Sequence, residues 1–382
     1  MQSATTPGTR TPRISLIGPV RPYRGGIAQY TTSLADGLSA VSDLTVWSFD
    51  KLYPERLYPG ASDVEEGAAR RDDAHYSLHA LNPISWLRTA AAVARTKPDL
   101  VLINWWTVYW QPAWFVIARY LRARGIKVVY LVHNLADHDA PGIQTRVSHK
   151  LLTCADGYVV HGARQREILA ELSPGTPVLQ RPHPVYDYYP AVTDPLPRRR
   201  RLELLFFGFI RPYKGLDVFL DALRQVQDPS AIAVSVVGES WDDPADLIAS
   251  AADLDVELVL RYVSNGEAAQ FFERADAVVL PYRSATGSGI VASAYHHGKP
   301  VIASDVPGLD DVVDDRTGWL FPVDDSAALA AVIDGIDAEQ CRVKGAAAAD
   351  FVTENSWPAM ARAIVTTFTG VTTFTGRAGD RG

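Results

Sequence analysis

Short runs of residues that are apolar on both faces alternate along this chain with stretches whose apolar positions recur at helical spacing. Residues 13–18 (RISLIG), 44–49 (LTVWSF), 99–104 (DLVLIN), 127–132 (KVVYLV) and 157–161 (GYVVH) lack polar alternation, as strands buried inside a parallel sheet do. Helical segments at 27–38, 86–95 and 112–124 separate them. The rhythm restarts at 203–208 (ELLFFG) and continues through 233–238 (AVSVVG), 256–262, 277–281 (AVVLP) and 300–304 (PVIAS). Two successive βα series predict an α/β chain of two Rossmann-like, doubly wound domains facing each other across a cleft.

The break between the series falls at 187–202. Residues 187–201 (DYYPAVTDPLPRRRR) hold three prolines and four consecutive arginines with no apolar period, which reads as a solvated linker. It separates a first domain, 13–186, from a second, 203–354. Residues 1–12 are expected to be disordered, 355–368 to form a last helix, and 369–382 to be a flexible tail. Residues 51–80 read as a long excursion within the first domain, of the length that is often functional or mobile. The hexapeptide VTTFTG occurs twice in tandem, at 365–370 and 371–376, and reads as a duplication in a frayed end.

Composition adds limits. With 382 residues, 47% hydrophobic and 21% charged, the chain is an ordinary globular protein large enough for two cores. Cys154 and Cys341 are too few for a disulfide framework or a four-thiolate zinc site, which fits a reducing compartment. No apolar run reaches the roughly 18 residues of a membrane span, and the first twelve residues lack the apolar core of a signal peptide. A cytoplasmic protein is expected. Residues 1–190 carry 20 Lys and Arg against 16 Asp and Glu, whereas 191–382 carry 17 against 28. The acidic second half argues against nucleic acid; the mildly basic first half leaves peripheral contact with the inner face of a membrane open.

Candidate chemistry sits where strands end. The first strand leads into Arg24-Gly25-Gly26-Ile27 ahead of a helix, where Gly25 and Gly26 could bring backbone N–H groups close to an anion or simply make a tight turn. Gly208-Phe209-Ile210-Arg211-Pro212-Tyr213-Lys214-Gly215 places an arginine and a lysine at the ligand-binding edge of the second domain, where the pair can clamp a diphosphate. Thr286-Gly287-Ser288-Gly289-Ile290 offers small residues at another helix start. His133, followed by Asn134, ends a buried strand; His161 reads as a structural core histidine. His149, His296 and His297 show no ligand spacing, so no metal site is assigned. Four tryptophans and a tyrosine crowd 104–115 (NWWTVYWQPAWF). Trp105, Trp106 and Tyr109 are the candidates to meet a ligand, since aromatic faces stack on sugars, and a core helix is the alternative for Trp110 and Trp114.

In this order the motifs resemble the retaining glycosyltransferases of family 4, which have the two-domain GT-B fold. The resemblance covers roughly 13–368. Arg24-Gly25-Gly26 looks like the family's opening glycine loop, and His133-Asn134 matches the histidine beside the reacting sugar. The stretch from Gly208 to Gly215 matches the G-x-x-x-x-x-K-G element, whose Arg211 and Lys214 would hold the donor diphosphate. Ala275-Asp276-Ala277 and Gly298-Lys299-Pro300 match the C-terminal half, and Trp357 resembles the start of the helix that crosses back to the first domain. One departure stands out: the family's two glutamates eight positions apart (E-x7-E) are replaced by Ala285 and Ser293. A subgroup with a T-x-S-G-type loop is similar to this chain.

The resemblance implies a hexosyltransferase of polysaccharide biosynthesis. It would move a sugar from a nucleotide diphosphate sugar to a hydroxyl of a glycan or polyprenyl-linked acceptor, with retained anomeric configuration and without metal or cofactor. His133, Arg211 and Lys214 would be the catalytic set. Gly25, Gly26, Gly208, Glu239, Val263, Thr286, Ser288, Gly289, Ile290 and Ser293 would line the donor, with Val263 offering backbone to the base. Two alternatives stay open: a nucleotide-sugar epimerase of the same fold and a non-catalytic nucleotide-binding relative.

Overall fold

The computed structural model describes residues 11–53, 63–65, 67–135, 142–184, 189–240, 244–285 and 288–372. The chain divides into two compact units, one of residues up to 161, 165–181 and from 357 onward, the other of 162–164 and 182–356.

The first series runs β1 (Arg13–Ile17), α1 (Gly26–Ser39), β2 (Asp43–Lys51), β3 (Ala74–His79), α2 (Pro83–Arg95), β4 (Leu100–Trp105), α3 (Gln111–Arg122), β5 (Val128–Val132), α4 (Gly142–Leu152), β6 (Gly157–Val160), α5 (Ala163–Leu172) and β7 (Val178–Gln180). All pairings are parallel, in the order β3-β2-β1-β4-β5-β6-β7. The order reverses between β1 and β4, which opens a crevice at the C-terminal ends of those strands. β4, β5 and β6 are buried along their whole length, which explains their unbroken apolar runs.

The second series runs β8 (Leu202–Phe207), α6 (Leu216–Leu223), β9 (Ile232–Val237), α7 (Pro244–Ala251), β10 (Val256–Val259), α8 (Asn265–Arg274), β11 (Ala277–Leu280), α9 (Gly289–His296), β12 (Val301–Ser304), β13 (Gly318–Phe321), α10 (Ser326–Gly335) and α11 (Ala338–Glu354). Its parallel order is β10-β9-β8-β11-β12-β13, so the reversal lies between β8 and β11. Capping boxes start α8 (Ser264 with Glu267) and α11 (Asp337 with Gln340).

α12 (Trp357–Thr369) follows and packs in the first unit. Gly37 of α1 makes that possible: a Cβ there would lie 2.8 Å from the Trp357 carbonyl oxygen. Gly157 does the same for Phe368, whose ring would be 2.4 Å away. No helix among the described residues is long and apolar enough to cross a membrane.

Three strands escape the sequence pattern. β3 lies inside the stretch read as an excursion; it is a sheet edge, half exposed and interrupted by histidines. β7 has only three half-buried residues. β13 has only four residues and starts at Gly318, where a Cβ would meet the Val301 carbonyl oxygen at 2.1 Å. The arginine run is also not simply solvated. Arg198 forms a two-pronged bond to Asp276 (2.9 and 2.7 Å), Arg200 pairs with Asp255 (3.0 Å), and Arg199 donates to the Val234 carbonyl (2.9 Å). Acidic partners far along the chain cannot be read from a local run of like charge.

Candidate functional site

At the β8/β11 reversal, Gly208 follows β8 in a left-handed conformation (φ 101°). A Cβ on it would lie 2.9 Å from Lys214 Nζ and 3.5 Å from Ile290 Cδ1. The absent side chain therefore lets an ammonium lie against main chain. Gly215 (φ 63°) starts α6 so close to the Pro281 carbonyl oxygen that a Cβ would sit 1.9 Å from it, fixing this loop to the end of β11. Arg283 holds the loop further, through Asp217 (2.7 and 3.0 Å), Asp324 (2.7 Å) and the Pro212 carbonyl (2.8 Å).

Lys214 is only 7% exposed, and no carboxylate pairs with it among the described residues. Its nearest described aromatic face is Tyr282, 5.4 Å from the ring centre. Desolvation lowers its pKa from 10.5 to about 8. A buried cation without a counter-charge gains most when an anionic ligand supplies one. Arg211 is half-buried at the start of the same turn, its carbonyl accepting the Lys214 N–H (2.9 Å).

The other donor-side candidates divide. Gly289 and Ile290 start α9; the Ile290 amide is already taken by Ser288 Oγ (3.2 Å), whereas the Gly289 amide has no partner among the described residues. Ser293 is wholly buried; its hydroxyl donates to the Gly289 carbonyl (3.0 Å) and accepts from Tyr189 (3.0 Å), so it cannot stand in for the missing glutamate. Thr286 lies outside the described residues. Glu239 is half-buried just past β9, its carbonyl accepting the Ile210 N–H (3.0 Å). Val263 has a buried side chain, and its neighbour Ser264 is committed to capping α8.

In the first unit, His133 follows β5 beside the β1/β4 reversal, and its ring is buried. Its Nε2 meets Asn104 Oδ1 (3.0 Å), Asn104 Nδ2 donates to Thr31 Oγ1 (2.7 Å), and Thr31 donates to the Ile27 carbonyl (2.7 Å). The chain of donors runs one way. Because Thr31 gives its proton to Ile27, it must accept from the Asn104 amide, which turns Oδ1 toward His133 and makes Nε2–H the donor. In the neutral ring the lone pair is then on Nδ1. Gly18 makes room for this relay, since a Cβ there would lie 2.2 Å from Asn104 Nδ2. Tyr30 lies edge-on to His133 (4.5 Å), His161 (5.3 Å) and Trp357 (4.9 Å). His161, held by the Arg181 carbonyl (3.0 Å) and lowered by burial to about 4, is a neutral structural histidine. Gly25 (φ 94°) and Gly26 open α1 with nothing within 4 Å of an added Cβ.

The aromatic candidates need one correction. Trp105 is the last residue of β4 and fully buried, its ring 5.1 Å from Tyr130, so it belongs to the core and cannot stack on an acceptor. Trp106 is nearly buried and donates its indole N–H to the Tyr53 hydroxyl (3.0 Å). Tyr109, 6.0 Å from Tyr53, is half-buried. Sequence reasoning missed Asn104, Thr31 and Gly18, although a lone asparagine ending DLVLIN was the available signal. It also missed Arg283, whose partners are 41 and 66 residues away in sequence.

Two parallel doubly wound sheets, each with its polar groups at the strand reversal, define the GT-B architecture of glycosyltransferases. Solved structures match it. The Anabaena protein Alr3699/HepE, in complex with UDP and glucose, aligns with TM-score 0.70 at 16% identity over 94% of this chain and all of its own. Sucrose-phosphate synthase from Thermosynechococcus elongatus aligns with TM-score 0.66 at 19% identity, over 94% and 98%. Residues 201–336 match the family model "Glycosyl transferases group 1". The chain is similar to GDP-mannose:glycolipid 4-beta-D-mannosyltransferase of Xanthomonas campestris pv. campestris, 27% identical over 93% of each. It is also similar to D-inositol 3-phosphate glycosyltransferase of Streptomyces scabiei, 29% identical over 71% of this chain and 68% of that one. The family model and these relatives agree in likening the chain to glycosyltransferases.

Proposed function

We propose that the protein transfers a sugar from a nucleotide diphosphate sugar to a hydroxyl of a lipid-linked glycan, with GDP-mannose the first donor to test. The observation that carries this reading is the buried Lys214 ammonium, set against Gly208 at the strand reversal with no carboxylate partner among the described residues. The barrier to transfer is departure of the diphosphate, whose negative charge grows as the anomeric carbon becomes cationic. Lys214 and Arg211, with the Gly289 amide, would stabilise that charge from fixed positions. His133 and the α1 start at Gly25 and Gly26 belong to the same proposal, as do Glu239 and the Val263 main chain on the donor side. Trp106 and Tyr109 remain the acceptor-side candidates. The glycolipid acceptor in the Xanthomonas relative's name supports a lipid-linked acceptor here. The transferase names of the relatives do not favour an epimerase or a non-catalytic protein.

Resemblance to family 4 supports retention of configuration, with the leaving phosphate accepting the acceptor's proton. A specific observation favours a second reading. The chain lacks the E-x7-E pair, and its Xanthomonas relative is named for a beta-linked product. A β-mannoside made from an α-linked sugar nucleotide is the inverted outcome, and inversion needs a base. His133, buried beside the β1/β4 reversal with Nε2 against Asn104 Oδ1, is the residue proposed for that base.

The test is nucleotide release from UDP-, GDP- and ADP-sugars by the full chain, beside the Arg211→Ala/Lys214→Ala variant, with the product anomer read by NMR. Release from one donor that the variant loses supports the donor site. If no nucleotide shifts the melting temperature and no donor turns over, the proposal fails.

A further inference from the structure

Among the described residues eight large apolar side chains are exposed, and three of them fall within one short stretch: Leu81 (66%), Ile84 (60%) and Leu87 (47%). Asn82 and Pro83 start α2 here, with Asn82 Oδ1 accepting the Ile84 N–H (3.1 Å). The inner face of the helix is fastened. Ser85, Thr89, Ala90 and Val93 are buried, and the Trp86 indole donates to the His79 carbonyl (3.1 Å). Ile84, Leu87, Arg88 and Arg95 share the opposite face at helical spacing, and neither arginine has an acidic partner among the described residues.

The surroundings are one-signed. From Leu81 to Lys127 the sequence holds seven Arg and Lys against Asp99 alone, and α2, α3 and α4 contain no acid at all. Asp99 is already committed to the Arg13 amide (2.8 Å). Both exposed aliphatic side chains and unpaired arginines on one helix face match an interfacial helix on anionic lipid. The topology adds direction. Every strand of the first sheet is parallel, so Leu81, just beyond β3, lies at the same C-terminal edge as His133 and Trp106.

We infer that the outer face of α2 docks the protein on an anionic bilayer, with Leu81, Ile84 and Leu87 entering the headgroup boundary and Arg88 and Arg95 facing lipid phosphates. Its use rests on the lipid-linked acceptor proposed above, which would then be met at the membrane surface. The test is co-sedimentation of the full chain with vesicles of phosphatidylcholine alone and of phosphatidylcholine with phosphatidylglycerol at roughly 7:3. Binding is expected on the mixed vesicles, at least about tenfold weaker on the neutral ones and on raising salt to about 0.5 M. Leu81→Gln/Ile84→Gln/Leu87→Gln and Arg88→Glu/Arg95→Glu should each lower it by about tenfold or more, while donor turnover in solution stays at the wild-type level. Val343→Gln, an exposed apolar site in the second unit, should change nothing. No binding by the wild type, equal binding to both vesicles, or wild-type binding retained by either α2 variant overturns the inference. Vesicle binding and nucleotide release are separate readouts, so a failed donor site and a failed docking face are told apart.

Discussion

Replacing Lys214 with methionine should make the protein more stable and less active at once. The folded chain holds this ammonium at a pKa of about 8, against 10.5 for an ordinary lysine, because burial removes its water. At about 1.4 kcal/mol per pKa unit, that difference corresponds to a cost of about 3 kcal/mol in the unliganded protein. The sign follows from proton binding. Below pH 8 the group is charged both folded and unfolded, so the cost is full. Between about 8 and 10.5 the folded chain releases its proton first and the cost fades; above 10.5 none is left. Methionine keeps the stem and its packing without the charge. In a unit of this size each kcal/mol moves the melting temperature by roughly 2–4 °C. A rise of several degrees is therefore expected near neutral pH, shrinking to nothing near pH 10.5. Nucleotide release should fall by about 100-fold or more, and added nucleotide should stabilise the variant less than the wild type. Thermal unfolding followed by circular dichroism across that pH range, with and without nucleotide, reads all of this. A variant no more stable than wild type at neutral pH, or one equally favoured at pH 10.5, refutes the reasoning.

Wild-type affinity for a nucleotide diphosphate should weaken as pH rises through about 8, where Lys214 loses its proton; titration calorimetry at several pH values checks this. Gly208→Ala places a Cβ 2.9 Å from Lys214 Nζ at a positive φ and should raise the donor KM about tenfold or more while the fold persists, as steady-state kinetics would show. Asn104→Ala should cost about 1–3 kcal/mol in denaturant unfolding, because Thr31 and His133 each lose a buried partner, and should shift the pH profile of turnover by freeing the imidazole tautomer. Glu203, buried at the start of β8, accepts the Arg200 amide (3.0 Å) and lies 3.9 Å from Arg274 Nε; Glu203→Ala should destabilise by about 3–5 kcal/mol, read as a lower denaturation midpoint.

Both sheets were legible because central parallel strands are covered on two faces and so carry unbroken apolar runs. β3, β7 and β13 were not, because edge strands are short and half exposed, and an isolated AHYSLH or VLQ looks like loop. Lys214, Arg211 and Gly208 stood out since they share one local motif. The relay through Asn104, Thr31 and Gly18 joins the ends of different elements, and only strand order brings them together. Trp105 misled for a related reason: a tryptophan at a strand end is either the last buried rung or the first exposed residue. The register that pairs it with Val132 decides for the core.

The return of α12 to the first unit sets a timetable for synthesis. Trp357, Met360, Ile364 and Phe368, which complete that unit's packing, are translated only after all of the second unit. At roughly 5–20 residues per second, the ribosome spends about ten to thirty seconds on the intervening chain. Throughout that interval the surface of α1 around Gly37 has no cover. The second unit, contiguous from 182 to 356, can finish folding first. The order of maturation is then the reverse of the order of translation, and a nascent chain arrested before Trp357 should carry a completed second unit beside a first unit that chaperones still recognise.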